Sequence, residues 1–129
     1  MTYTILSIED STSFRQLVRL SLEFEGFEVL EANGGLLGLE MARECAPDLI
    51  LLDVLMPDMD GLTVCKTIMA DPQLCHIPVV MLSSSDDEAA IEGGMRLGAK
   101  GYLVKPFYPK ELIALAYRLI SEHDRQSPQ

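Results

Sequence analysis

The segment Leu49-Ile50-Leu51-Leu52-Asp53 constrains this chain more than any other. Four consecutive apolar residues behind Pro47-Asp48 read as a strand covered on both faces, the pattern of a central parallel strand. The run stops at a carboxylate, and Pro57, Asp58, Asp60 and Gly61 supply turn chemistry shortly after it. Open α/β sheets gather their ligands at the carboxyl ends of their strands. Asp53 is therefore expected at that edge, where an uncompensated charge is unfavourable. A turn or helix-capping Asp is the plainer alternative, and the rest of the chain decides between them.

Five strand-then-helix units follow in order. Strands are expected over residues 3–8, 27–32, 49–53, 78–82 and 100–104. Ser11, Thr12 and Ser13 are N-cap candidates for a first helix, in which Phe14, Leu17, Val18 and Leu22 recur at helical spacing until Gly26. Asn33-Gly34-Gly35 opens a second helix carrying Leu36, Leu39, Ala42 and Cys45, which Pro47 closes. A third, over residues 61–70, shows Leu62, Cys65, Ile68 and Met69 on one face. Asp86-Asp87-Glu88 charges the first turn of a fourth favourably, and Gly98 ends it. Pro109-Lys110-Glu111 starts the last, running through Ile120, with a frayed polar tail after Glu122. Alternation with short connections predicts an α/β fold: a flavodoxin-like, doubly wound, five-stranded parallel sheet of order 2-1-3-4-5 with five helices. One domain is expected over residues 1–129, with its core at about 3–121.

Composition removes several classes of function. Twenty acids against ten bases give a net charge of −10, which argues against a nucleic-acid surface and an anionic membrane. No apolar run reaches the ~18 residues of a membrane span. The first residues lack a basic region and already read as a strand, so a cytoplasmic protein is expected. Cys45, Cys65 and Cys75 show no paired spacing and read as buried, inert thiols. His76 and His123 read as too few and too isolated for a zinc-type site.

A parallel sheet points every carboxyl end to one edge. Strand one delivers Glu9 and Asp10 there, strand three Asp53, strand four Ser83, and strand five Lys105 just beyond its end. Four strand ends in functional groups are hard to explain as turn chemistry. Carboxylates sharing a pocket repel unless a cation joins them, and hard oxygen donors suit Mg²⁺ or Mn²⁺. Lys105 adds a mobile positive charge that can pair with Asp53 or a phosphoryl oxygen, and Ser83 adds a hydroxyl. Together these are the parts for phosphoryl transfer onto a protein aspartate.

With those parts in view, the chain resembles a response-regulator receiver domain of two-component signalling. The matching motifs are Ile8-Glu9-Asp10, Leu52-Asp53 with Met56-Pro57 and Asp60-Gly61, residues 78–83, Gly98-Ala99 with Gly101-Tyr102, and Lys105-Pro106-Phe107. The resemblance spans about residues 3–121. It implies that Asp53 is the phosphoacceptor, served by a phosphohistidine of a sensor histidine kinase or histidine phosphotransfer protein, or by a small phosphodonor. It implies an Mg²⁺ site from Asp10, Asp53, the Leu55 carbonyl and, through water, Glu9. Ser83, Lys105 and the Ser84 backbone N–H would clamp the phosphoryl group, with a cis Lys105-Pro106 bond aiming the lysine. Tyr102 and Ser83 would form the switch. The chain would be no enzyme beyond catalysing its own phosphorylation and dephosphorylation. Output would pass through the face of helix four, strand five and helix five, by homodimerisation, a protein target or a fused output domain.

Departures from the family pattern are mild. Ser83 replaces the more usual Thr, and Ser84 the more usual Ala. Apolar Leu55, two residues past Asp53, leads us to expect slowed attack of water on the acyl phosphate. A haloacid-dehalogenase-like phosphatase would want an acid at position 55, and Glu9-Asp10 would repel a flavodoxin's FMN phosphate. A never-phosphorylated interaction module is the remaining rival, though such modules typically lack one of the acids or the lysine. Other readings stay open. Tyr102 could be a plain core aromatic, and Asp58 and Asp60 read as turn and cap residues rather than ligands. Gly93-Gly94 serves either packing or a loosened helix four. In helix one Phe14, Val18 and Leu22 should face the sheet. Leu20 and Phe24 lie at the edge of that arc, for core packing or for docking a phosphodonor.

Overall fold

The computed structural model describes residues 2–84 and 88–126. Five strands, β1 (Thr4–Ile8), β2 (Glu28–Ala32), β3 (Leu49–Asp53), β4 (Val79–Ser84) and β5 (Gly101–Lys105), alternate with five helices. These are α1 (Thr12–Phe24), α2 (Gly35–Cys45), α3 (Gly61–Ala70), α4 (Glu88–Leu97) and α5 (Pro109–Gln126). The sheet is parallel throughout, in the order β2-β1-β3-β4-β5 expected from the sequence. The expected first-turn acids Asp86 and Asp87 lie outside the described residues.

Alternating side chains of the strands feed two apolar layers. Leu6, Ile8, Ile50, Leu52, Val79 and Met81 pack with α2, α3 and α4 through Leu39, Ala42, Val64, Cys65, Ile68 and Ala90. Ile5, Leu49, Leu51, Val80, Leu82 and Leu103 pack with α1 and α5 through Val18, Leu22, Leu112, Ala116, Leu119 and Ile120. Each fully buried aliphatic side chain contributes roughly 1.5–3 kcal/mol, so β3, buried at all five positions, anchors both layers. Its register sets Ile8 beside Leu52 and Asp53 beside Leu82, which brings the ends of β1, β3 and β4 together.

Helix starts follow local chemistry. Ser11 Oγ accepts from the Phe14 N–H at 3.4 Å, and Asp60 Oδ1 accepts from the Thr63 N–H at 2.9 Å. Asp58, read from the sequence as a turn or cap residue, caps a helix that precedes it in the chain. Its carboxylate accepts the N–H groups of Gly35 and Leu36, each at 3.1 Å, and so caps α2 from the loop after β3. Those two donors hold its pKa below the ordinary carboxylate value, Leu36 contributing most.

Several expectations are corrected. Only Cys65 is buried, and burial pushes its thiol pKa up; Cys45 and Cys75 are exposed. Cys45 closes the last turn of α2 and Cys75 lies in the α3–β4 connection, both clear of the layers. Leu36 is exposed because α2 turns Gly35, Gly38, Leu39 and Ala42 inward. A Cβ on Gly38 would meet Ile8 Cδ1 at 2.5 Å, so this helix rides directly on β1. Leu17, placed on the apolar stripe of α1, is exposed with Leu20 and Phe24, since only the Phe14–Val18–Leu22 row faces inward. Helix α5 continues to Gln126 rather than fraying after Glu122. Among the described residues no helix is long and apolar enough to cross a membrane.

Candidate functional site

The end of β1 is held by a ladder bond from the Glu9 N–H to the Ala32 carbonyl (3.0 Å), and Arg15 Nη1 donates to the Glu9 carbonyl at 2.7 Å. Arg15 is in turn paired with Glu31 at 3.2 Å, so the β1–α1 turn is tied to β2. These bonds fix the direction in which Glu9 points. Its carboxylate is almost wholly buried, at 1% exposure, and accepts the Ser11 N–H at 3.1 Å and Lys105 Nζ at 2.6 Å.

Asp53, 6% exposed, closes β3 and accepts Lys105 Nζ at 3.3 Å. Glu9, Asp10 and Asp53 each bring a carboxylate oxygen to within 4.8 Å of the others, with Asp10 on the solvent side. Three carboxylates face one ammonium, a formal excess of two negative charges. That excess and the all-oxygen donor set fit a hard divalent cation of the Mg²⁺ type. The sequence anticipated Lys105 pairing with Asp53; the shorter bond goes to Glu9.

Lys105 is directed inward from the end of β5, and the Lys105–Pro106 peptide bond is cis. Its ammonium lies 4.1 Å from the centre of the Phe14 ring, which meets Phe107 edge-on at 5.6 Å. The quadrupole of the ring favours a cation at its face. Phe14 therefore borders the site as well as the core, a role its place in an apolar stripe concealed. Arg15 and Phe14 were legible only as the first turn of a helix entering beside the acids.

Ser83, 1% exposed, ends the buried part of β4, and its hydroxyl donates to the Ser84 carbonyl at 3.2 Å. Register places Ser83 beside Val104 and Ser84 beside Lys105, so the hydroxyl and the ammonium reach one edge from adjacent strands. Leu55 is 67% exposed over the loop after Asp53, and Tyr102 is 47% exposed on the outer strand β5. Tyr102 is thus not a core aromatic in this structure. Gly61 closes the far side of the loop: its N–H donates to the Val54 carbonyl at 2.7 Å, and a Cβ there would meet the Asp53 carbonyl oxygen at 2.4 Å. Asp60 and Asp58 cap α3 and α2, as turn and cap residues do.

Residues 5–117 match the family model described as the response regulator receiver domain. The DNA-binding response regulator MtrA of Mycolicibacterium paratuberculosis is 36% identical over 124 residues, covering 96% of this chain and 54% of that protein. The alkaline phosphatase synthesis transcriptional regulatory protein PhoP of Bacillus subtilis is 35% identical over 128 residues, covering 99% and 52%. Chemotaxis protein CheY4 of Vibrio cholerae superposes with a TM-score of 0.86 at 34% identity, over 92% of this chain and 99% of that one. The chain spans about half the length of the curated relatives it matches.

Proposed function

Because this chain belongs to the response regulator receiver domain family of two-component signalling, we propose that Asp53 accepts a phosphoryl group from a partner's phosphohistidine. The observation that carries the reading is the Asp53 carboxylate, closing the central strand between two further acids and the Lys105 ammonium. A carboxylate oxygen of Asp53 attacks phosphorus, the donor imidazole leaves with its bonding pair, and an acyl phosphate results. Sensor histidine kinases and histidine phosphotransfer proteins supply the phosphohistidine; with a small phosphodonor such as acetyl phosphate, acetate is the group that leaves.

Asp10 and Asp53, the Leu55 carbonyl and, through water, Glu9 are the residues proposed to hold Mg²⁺ or Mn²⁺. Bound there, the cation would neutralise acid and phosphoryl charge. Lys105 moves from the acids to a phosphoryl oxygen, and the Ser83 hydroxyl and Ser84 N–H donate to others. Receiver domains are not classical enzymes, and the only turnover proposed here is formation and loss of the chain's own phosphoaspartate. Leu55, exposed beside Asp53, slows that loss by keeping a polar group from aligning water; Leu55→Asn should shorten the phosphoaspartate lifetime.

The face of α4, β5 and α5 is proposed as the output surface, with Tyr102 turning inward as Ser83 closes on the phosphoryl group. A fused output domain, a separate protein target or a homodimer through this face would read the change. Residues 1–129 are read as one receiver unit acting in the cytoplasm. The test is the intact mass after incubation with acetyl phosphate and Mg²⁺, beside Asp53→Asn. A Mg²⁺-dependent gain of one phosphoryl group that the variant lacks is expected. No gain, together with failure to bind beryllofluoride, would leave an unphosphorylated interaction module.

A further inference from the structure

The chain has two histidines, 47 positions apart, and the fold brings them into ring contact. The His76 and His123 ring centroids lie 5.8 Å apart with planes inclined by 25°. This overturns the expectation from sequence that the two are isolated, because neither the α3–β4 connection nor the last turns of α5 reveal their neighbours in the pattern of residues.

Both rings stand on well-held backbone. In the connection, Leu74 N–H and Cys75 N–H donate to the Asp71 carbonyl at 3.0 and 2.9 Å, and Ile77 N–H donates to the Leu74 carbonyl at 2.9 Å. Leu74 and Ile77 flank His76 and are buried, which anchors the turn on either side of the imidazole. His123 follows buried Leu119 and Ile120 by four and three residues, so it continues the inward row of α5 beyond the sheet. The Tyr3 hydroxyl donates to Asp124 and holds that last stretch against the start of β1.

We propose that His76 and His123 form a two-imidazole site for a borderline divalent transition-metal ion of the Zn²⁺ class. Neutral imidazole is the preferred nitrogen ligand of Zn²⁺, Ni²⁺ and Cu²⁺. With metal–nitrogen bonds of about 2.0–2.1 Å, ring centres on one tetrahedral ion stand roughly 5 Å apart, so the observed 5.8 Å separation has to close by less than about 1 Å. The terminal χ2 torsion of histidine is soft, so the ring nitrogens can turn onto a common ion without backbone movement. Water fills the remaining positions, and the net charge of −10 favours cations near the surface.

The site lies at the edge of the sheet opposite the acids. His76 precedes the start of β4, whereas Asp53 closes β3. Borderline nitrogen and hard oxygen donors would thus sit at opposite edges of one domain, the nitrogen pair favouring transition-metal ions over Mg²⁺. A metal held by the pair would clip the α3–β4 connection to α5.

Zn²⁺ alone is the probe, added to the full chain while imidazole ¹⁵N–¹H correlations are recorded. Both rings should respond together along one saturable binding curve. His76→Gln and His123→Gln should each weaken that binding at least about tenfold, including in a Cys45→Ser, Cys75→Ser background that removes the exposed thiols. The proposal is overturned if the rings do not respond, if only one does, or if the remaining ring of either variant responds to Zn²⁺ as it does in the parent chain.

Discussion

Replacing Lys105 with Met keeps a stem of similar length and removes the ammonium that pairs with both Glu9 and Asp53. Two charges lose their partner: Glu9, whose side chain is 1% exposed, and Asp53, at 9%. Removing one member of a buried pair destabilises by about 3–5 kcal/mol. Lys105 is itself 26% exposed, so water offsets part of the loss, and we take about 2–3 kcal/mol. Lost attraction to the Phe14 ring falls within that figure. For a chain of this size the melting temperature should fall by roughly 6–12 °C in chelator. Magnesium should then reverse the order of effects. Lys105 and a divalent cation compete for the same carboxylates, so the variant should bind Mg²⁺ more tightly than the parent chain. At about 100 times its Kd the ion would return about 2.7 kcal/mol, close to the whole deficit. Urea unfolding at pH 7, with chelator and then with Mg²⁺, measures both quantities. Equal stability in chelator, or stronger stabilisation of the parent chain by Mg²⁺, would refute the assignment of Lys105 as the resident counter-charge.

The adjacent glycines of α4 should respond in opposite ways. A Cβ on Gly93 meets Leu62 Cδ2 at 3.3 Å, so Gly93→Ala should gain about 0.5–1 kcal/mol from helix propensity. A Cβ on Gly94 meets Met81 Cγ at 2.9 Å, and overpacking there should leave Gly94→Ala about 1 kcal/mol less stable by urea unfolding. Ser7 is fully buried in β1 and its hydroxyl finds no partner among the described residues, so Ser7→Ala should raise unfolding free energy by about 1 kcal/mol. Asp58 has a lowered pKa in the folded chain, so its stabilisation is complete above the usual carboxylate value and is lost as pH falls through the folded one. Denaturation from pH 7 to pH 3 should therefore show Asp58→Asn least stable relative to the parent at pH 7, with the gap closing below about pH 4.

Strand order, helix number and the gathering of Glu9, Asp10, Asp53, Ser83 and Lys105 at one edge were legible because they follow from local periodicity and from the geometry of parallel sheets. What stayed hidden depends on which way a side chain turns between elements distant in sequence. The choice of Glu9 over Asp53 by Lys105 is one example, and Phe14 under its ammonium is another. For Gly94 the sequence leaves packing and a loosened helix equally open until Met81 is seen against it. The exposure of Cys45 and Cys75 turns on where a helix and a connection stop relative to the sheet, which apolar spacing does not record. Contact between His76 and His123 is invisible for the same reason.

The reach of Asp58 to the Gly35 and Leu36 N–H groups bears on how such domains can be spliced. Segment exchange between relatives would naturally take the loop after β3 as a unit, because both of its ends are marked by turn residues. Here that loop is also the cap of another helix, and Gly34 leaves room for it, since a Cβ there would meet Asp58 Oδ1 at 2.8 Å. The accepting loop and the turn over residues 33–36 form one structural piece, although more than twenty residues separate them. A chimera that takes one without the other begins with an uncapped helix, or with a carboxylate pressed against a side chain.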